Sequence, residues 1–157
     1  MDDLPIFVFT QADAKFSGIE AELFVPFKTG GAGEIDLRLY GDYVRGELTS
    51  GEKVPRLPPL RYGARVQYHN ERLLAGLEAT RYAEQDETAP FETLTPGYTL
   101  VNADVRWRLV TEKDAELEIF VNAANLGDAE ARKHTSFVKD IAPLPGRNFA
   151  VGVRSRF

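Results

Sequence analysis

Between Tyr98 and Val110 every second residue is apolar. Val101, Ala103, Val105, Trp107 and Leu109 share one parity, and Asn102, Asp104, Arg106 and Arg108 share the other. Successive side chains of an extended strand point to opposite faces, so this segment has one greasy face and one polar face. A helix would scatter both sets around its circumference.

The same period returns along the chain. Ile35, Leu37, Leu39 and Tyr43 oppose Asp36, Arg38, Tyr40 and Asp42. Tyr62, Ala64, Val66 and Tyr68 oppose Arg61, Arg65, Gln67 and His69, while Leu73, Ala75, Leu77 and Ala79 oppose Glu78 and Thr80. Leu117, Ile119, Val121 and Ala123 oppose Glu116, Glu118 and Asn122. In the last segment Phe149, Val151, Val153 and Phe157 oppose Asn148, Arg154 and Arg156. The first stretch, Pro5 to Phe27, is longer, and Ile19, Ala21, Leu23, Val25 and Phe27 oppose Glu20 and Glu22. It reads as one strand with a bulge near Gln11 to Ala14, or as a hairpin. The expectation is an all-β, antiparallel, up-and-down meander of seven strands, or eight if the first stretch splits.

The connections alternate in length. Lys28 to Gly33, Asn70-Glu71 and Thr111 to Asp114 are short, whereas Gly46 to Pro58, Ala83 to Gly97 and Leu126 to Gly146 are long. Outer-membrane barrels join their strands in this way, by short periplasmic turns and longer extracellular loops. Aromatic residues fall near strand ends, at Tyr43, Tyr62, Tyr68, Tyr82, Tyr98, Trp107, Phe149 and Phe157. These are the levels at which membrane-interface girdles form. Two alternatives remain: a soluble β-sandwich acting as a binding module, which is also polar on one face and apolar on the other, and a small complete outer-membrane barrel.

Composition is compatible with each of these. The chain is 43% hydrophobic and 27% charged, ordinary for a soluble globule, but a membrane barrel also averages out because its faces alternate. A net charge of −5 without a basic stripe argues against nucleic acid as a partner. The absence of cysteine excludes disulfides, thiolate zinc sites and cysteine nucleophiles. No apolar run reaches the roughly 20 residues of a spanning helix. MDDLPIFVFTQ lacks the basic and apolar regions of a secretory signal, so an outer-membrane chain of this kind would be a segment of something larger.

Five stretches resemble, in order, the C-terminal strands of TonB-dependent outer-membrane receptors. QADAKFSGIEAEL carries Gly18, Ile19 and Glu20 after a polar start, and VPRLPPLRYG resembles the Pro-rich return from an outer loop. PGYTLVNADVRWRL resembles a tyrosine-led descending strand, VNAANLGD the Asn125-Leu126 ending of the penultimate strand, and PLPGRNFAVGVRSRF the Pro-Gly-Arg approach to the last strand. The resemblance implies that residues 1–157 are the C-terminal part of a barrel of roughly 22 strands, without its N-terminal plug. It implies an outer-membrane location, lipid around the barrel, and active uptake of a scarce nutrient such as a siderophore, metal ion or vitamin. TonB would act only through the missing plug. Phe149, Val151, Val153 and Phe157 would form the signal read by the barrel-assembly machinery, although Ser155 stands where the family often has an aromatic residue.

Enzyme chemistry is not indicated. GxSxG, GxxxxGK[ST], HExxH and GxGxxG are all absent from the sequence, and no cofactor is implied. KTGGAG lacks the ending of a phosphate loop and reads as a turn. Glu20 and Glu22 share a strand face, as an acid/base pair would, but lumen lining explains them more simply. Candidate ligand-binding residues lie in the long connections: His134 and Asp140 in the last, Asp86 and Glu87 in the one before. An exposed imidazole at His134 with a nearby carboxylate would suit a borderline metal; the alternative is a hydrogen-bonded loop histidine. EARKHTSFVKDIAPLPG as a whole resembles a subgroup that includes zinc or metal-complex receptors.

Overall fold

The computed structural model describes residues 11–29, 33–110 and 116–156. Seven strands form one antiparallel sheet in sequential order: β1 (Ala14–Lys28), β2 (Glu34–Leu48), β3 (Arg61–His69), β4 (Leu73–Tyr82), β5 (Tyr98–Val110), β6 (Glu116–Ala124) and β7 (Asn148–Arg156). The expected meander is therefore present, with the first stretch contributing β1 from Ala14 onward. Its opening residues, including the Pro5 end of the stretch, lie outside the described residues. The two-sheet sandwich is not what forms, because the described strands make a single sheet. Nor do the described strands close on themselves: β1 pairs only with β2, and β7 only with β6, among the described residues.

The register carries each strand's parity across the sheet. One rung runs Val25, Leu37, Val66, Leu77, Ala103, Ala123, Phe149, and the next runs Phe27, Ile35, Tyr68, Ala75, Val105, Val121, Val151. A slip of one residue anywhere would transfer a strand's apolar set to the other face. Among the described residues no second layer covers this apolar face. Ile19 is 70% exposed, Leu77 and Trp107 each 54%, and Val151 72%. Such a continuous apolar area far exceeds the patches ordinary soluble monomers present to water.

The opposite face is crowded and ion-paired. Arg38 meets Glu22 at 2.6 Å, Arg61 meets Asp42 at 2.6 Å, Arg108 meets Glu116 at 2.5 Å and Arg154 meets Glu118 at 3.3 Å. Glu22 is thus an ion-pair partner rather than half of an acid/base pair. Arg65 reaches from β3 to Asp104 on β5 at 2.7 Å, with Glu78 of the intervening β4 at 3.7 Å. His69 is half-buried beside Asp36 at 3.4 Å and Glu34 at 3.7 Å.

Glycines make the longer bridges possible. Tyr40 passes over Gly63 to bond Glu78 and Thr80, each at 2.5 Å. A Cβ on Gly63 would lie 2.6 Å from the Tyr40 ring and 2.7 Å from the Ala79 carbonyl. Gly76 clears the path of Arg65, and Gly152 makes room for the Phe120 ring.

The aromatic expectation needs one correction. Tyr43, Tyr62, Tyr68, Trp107 and Phe149 share the parity of the apolar face, but Tyr82 and Tyr98 do not. They sit opposite each other on the polar face, stacked with centroids 4.7 Å apart. Their even positions place them with Thr80 and Asn102, so they close the end of the polar face instead of joining an outward girdle.

Candidate functional site

In an up-and-down meander every second connection lies at the same end of the sheet. The three long loops, residues 49–60, 83–97 and 125–147, are therefore neighbours, with the shorter turns at the far end. The four non-glycine residues with positive φ among the described residues, Arg56, Phe91, Asn125 and Asp128, all lie in these loops.

The last loop is anchored at Asn125 (φ 50°). Asn tolerates this left-handed conformation better than most residues. Its side chain donates to the carbonyls of Ala129 and Pro145 at 2.9 and 3.2 Å and accepts from the Ala129 amide at 2.9 Å. Its own amide donates to Asn102 of β5 at 3.0 Å. Asp128 accepts from the Arg147 amide at 2.9 Å. Both ends of the loop are thereby tied together, and Ala131 between them is fully buried.

From this base the loop inserts two ionisable side chains against the loop before it. His134 is 2% exposed and Lys139 4%, and Thr95, which touches both, is 3% exposed. The hydrogen bonds run in one direction. The Lys139 ammonium donates to the Thr95 hydroxyl at 3.1 Å, to the Thr93 hydroxyl at 2.6 Å and to the carbonyls of Thr93 and Leu94 at 2.5 and 3.2 Å. Nε2 faces the Glu92 carboxylate and so carries the hydrogen of the neutral ring, which leaves Nδ1 to accept from the Thr95 hydroxyl at 2.8 Å. His134 Nε2 donates to Glu92 Oε1 at 3.1 Å. Glu92 also accepts from the amides of Arg56 at 2.9 Å and Ala89 at 3.1 Å, which brings in the first loop. The Arg56 guanidinium lies 3.5 Å from the centroid of the Phe137 ring. Burial holds the His134 imidazolium form at a disadvantage, with Lys139 and Arg56 acting the same way and Glu92 opposing them, so its pKa falls below the ordinary 6.5.

These placements revise the reading of the candidate residues. His134 is not an exposed imidazole: it is buried, and both ring nitrogens are engaged within the protein. The hydrogen-bonded alternative describes it. Asp140 joins the same cluster from outside, accepting from the Thr93 hydroxyl at 2.9 Å and lying 3.6 Å from Lys139. Asp86 and Glu87 belong to a separate part of the loop end. Glu87 pairs with Arg45 at 2.9 Å and Lys53 at 3.5 Å, while Asp86 is exposed. Among the described residues no group of three or more His, Cys, Asp or Glu is placed to hold a metal ion. Sequence reasoning did not find Thr95 or Arg56. Neither carries a local signal, because each acts through a partner tens of residues away.

Of the four residues expected to form an assembly signal, Phe149, Val151 and Val153 form an exposed row on the apolar side of β7. Phe157 lies outside the described residues.

Two comparisons bear on this arrangement. The family model described as "TonB dependent receptor-like, beta-barrel" matches residues 2–126. Among solved structures, the copper transporter OprC is similar in fold, with a TM-score of 0.70 at 22% identity over 92% of this chain. The chain spans 24% of the OprC chain, about a quarter of its length.

Proposed function

Because the chain belongs to the TonB dependent receptor-like β-barrel family, we propose that its seven strands are the C-terminal part of the wall of an outer-membrane uptake receptor. The family places it among receptor barrels, and in this reading it is a receptor segment and not an enzyme. The single observation that carries this reading is the bare apolar face, continuous over seven strands, set back to back with an ion-paired polar face. Water on both sides would leave the first face unstable, and a second protein layer would have to cover it. Hydrocarbon outside and a hydrated lumen inside satisfy both faces at once. From Ile35 to Tyr43 the apolar side of β2 covers about 26 Å along the strand, which at a tilt of about 40° is roughly 20 Å of height and accounts for most of the apolar band of about 25 Å on such barrels.

In this reading the free edges of β1 and β7 pair with further strands of the same barrel, which removes the exposed edges. The long loops face the cell exterior and contribute to capture of a scarce nutrient: a siderophore, a metal ion or a vitamin. A metal or its complex is favoured by the likeness to a copper transporter. With no cysteine and a single methionine, this segment's contacts to such a ligand would come from oxygen and nitrogen donors. TonB acts through a plug supplied outside this segment. The outward row on β7 meets the barrel-assembly machinery.

Topology can be tested in cells expressing the full-length receptor. A cysteine introduced at Asp86 should react with a membrane-impermeant maleimide on intact cells. One introduced at Glu71, in the short turn, should react only after the outer membrane is permeabilised. The reverse pattern, or equal labelling of both in a soluble fraction, would overturn the proposal.

A further inference from the structure

The loop cluster around His134 has a property that barrel-wall function does not require. The relay from Lys139 through Thr95 and His134 to Glu92 closes with one proton arrangement. Thr95 gives its only hydrogen to Nδ1, and Nε2 gives its hydrogen to Glu92. Thr95 has no second hydrogen to offer, and its oxygen already accepts from Lys139. We propose that His134 is a proton-operated latch: the neutral imidazole locks the second and third long loops together, and protonation releases them.

Protonated Nδ1 would point its hydrogen at the Thr95 oxygen, so the Thr95 hydrogen would have to turn away from its buried acceptor. The change also adds a cation to a buried cluster that already contains Lys139 and lies against Arg56. Glu92 is the carboxylate facing His134, and Asp140 is exposed beside Lys139. An open loop hydrates the imidazolium and relieves this crowding, so acid favours opening. The direction of the His134 pKa agrees with the geometry. The closed form resists protonation, the open form takes the proton near the ordinary histidine value, and release occurs as pH falls below 6.5. The inference stands on the loop contacts and does not depend on what the receptor transports.

No cysteine occurs in this segment, and any cysteine elsewhere in the full-length receptor is replaced before labelling. Spin labels on Asp86→Cys and Lys133→Cys, both exposed positions on the two loops, report their separation in the full-length protein in detergent. Wild-type loops should show one short, narrow distance at pH 7.5 and a broader, longer distribution at pH 5. His134→Gln, which stays neutral, should give the same distribution at both pH values. The second measurement follows His134 itself by imidazole carbon resonances, assigned by their loss in His134→Gln and distinguished from His69, the other histidine of this segment. The opening midpoint should coincide with the titration of His134. An unchanged distance at pH 5 would overturn the latch. So would equal acid opening in His134→Gln, or a midpoint in the carboxylate range that His134 does not share.

Discussion

The Arg65 guanidinium of β3 crosses above Gly76 of β4 to bond Asp104 of β5 at 2.7 Å. Three strands are tied on their polar side by one side chain, and the glycine is what leaves the path open. A Cβ at Gly76 would collide with the Arg65 guanidinium and lie 2.8 Å from Asp104. Gly76→Ala is therefore expected to displace the bridge and cost about 1–3 kcal/mol. Urea unfolding in detergent micelles measures this. Arg65→Met in the Gly76→Ala background should recover part of the loss, since the colliding group is then gone.

Leu77, one residue further along β4, faces the other way. Exposed in the isolated sheet, it would accept a lysine at almost no cost if that face met water. Against hydrocarbon, Leu77→Lys should cost about 2–4 kcal/mol near the midplane. Gln67→Lys, on the polar face between Asp36 and Gly76, should be tolerated. The abundance of heat-modifiable receptor in outer-membrane fractions should fall for the first variant and hold for the second. Equal abundance would argue against lipid contact at Leu77.

Asn125 combines a left-handed backbone with three side-chain hydrogen bonds that join the two ends of the last loop. Asn125→Ala should lose these bonds and add backbone strain, roughly 2–4 kcal/mol in all. Asn125→Gly loses the bonds without the strain and should fall between wild type and alanine. Hydrogen exchange at Leu144, whose amide donates to Ala131 at 2.7 Å, reports the ranking.

The charges around His134 predict shifts of opposite sign. Glu92 favours its protonation and Lys139 disfavours it. Because the folded-state pKa is below the ordinary 6.5, the loop junction is at full stability above that value and loses it as pH falls beneath. Lys139→Met should raise that pKa toward 6.5 and shrink the stability lost in acid. Glu92→Gln should lower it further and enlarge the loss. Exchange of the Thr95 amide, bonded to Gln85 at 3.0 Å, measured between pH 5 and 8 and corrected for intrinsic rate, follows both. Shifts of the same sign in the two variants would exclude an electrostatic origin.

The strand pattern was legible because it is periodic. Val101 to Leu109 announce β5 without reference to any other part of the chain, and a strand's two faces follow from backbone geometry alone. The cross-strand charge ladder was legible for the same reason: Arg38, Arg61, Arg65 and Arg108 each fall on the polar parity of their own strand, as do their acidic partners. Arg106 shares that parity too, yet it forms no ion pair among the described residues, since Leu74 and Phe120 stand beside it. Parity names a face but not a neighbour. The loops offered no period to read. His134 looked like an available imidazole, and its burial depends on Glu92 and Thr95 arriving from a different loop.

Alternation and turn spacing by themselves determined that this chain makes an antiparallel meander with one apolar and one polar side, because those features act through local backbone geometry. Only the tertiary structure decided which side chains bridge strands, that Tyr82 and Tyr98 stack on the polar side, and that His134 and Lys139 are enclosed between loops. Those outcomes depend on which distant segments become adjacent and on the water they exclude from one another. No local stretch of sequence contains that information.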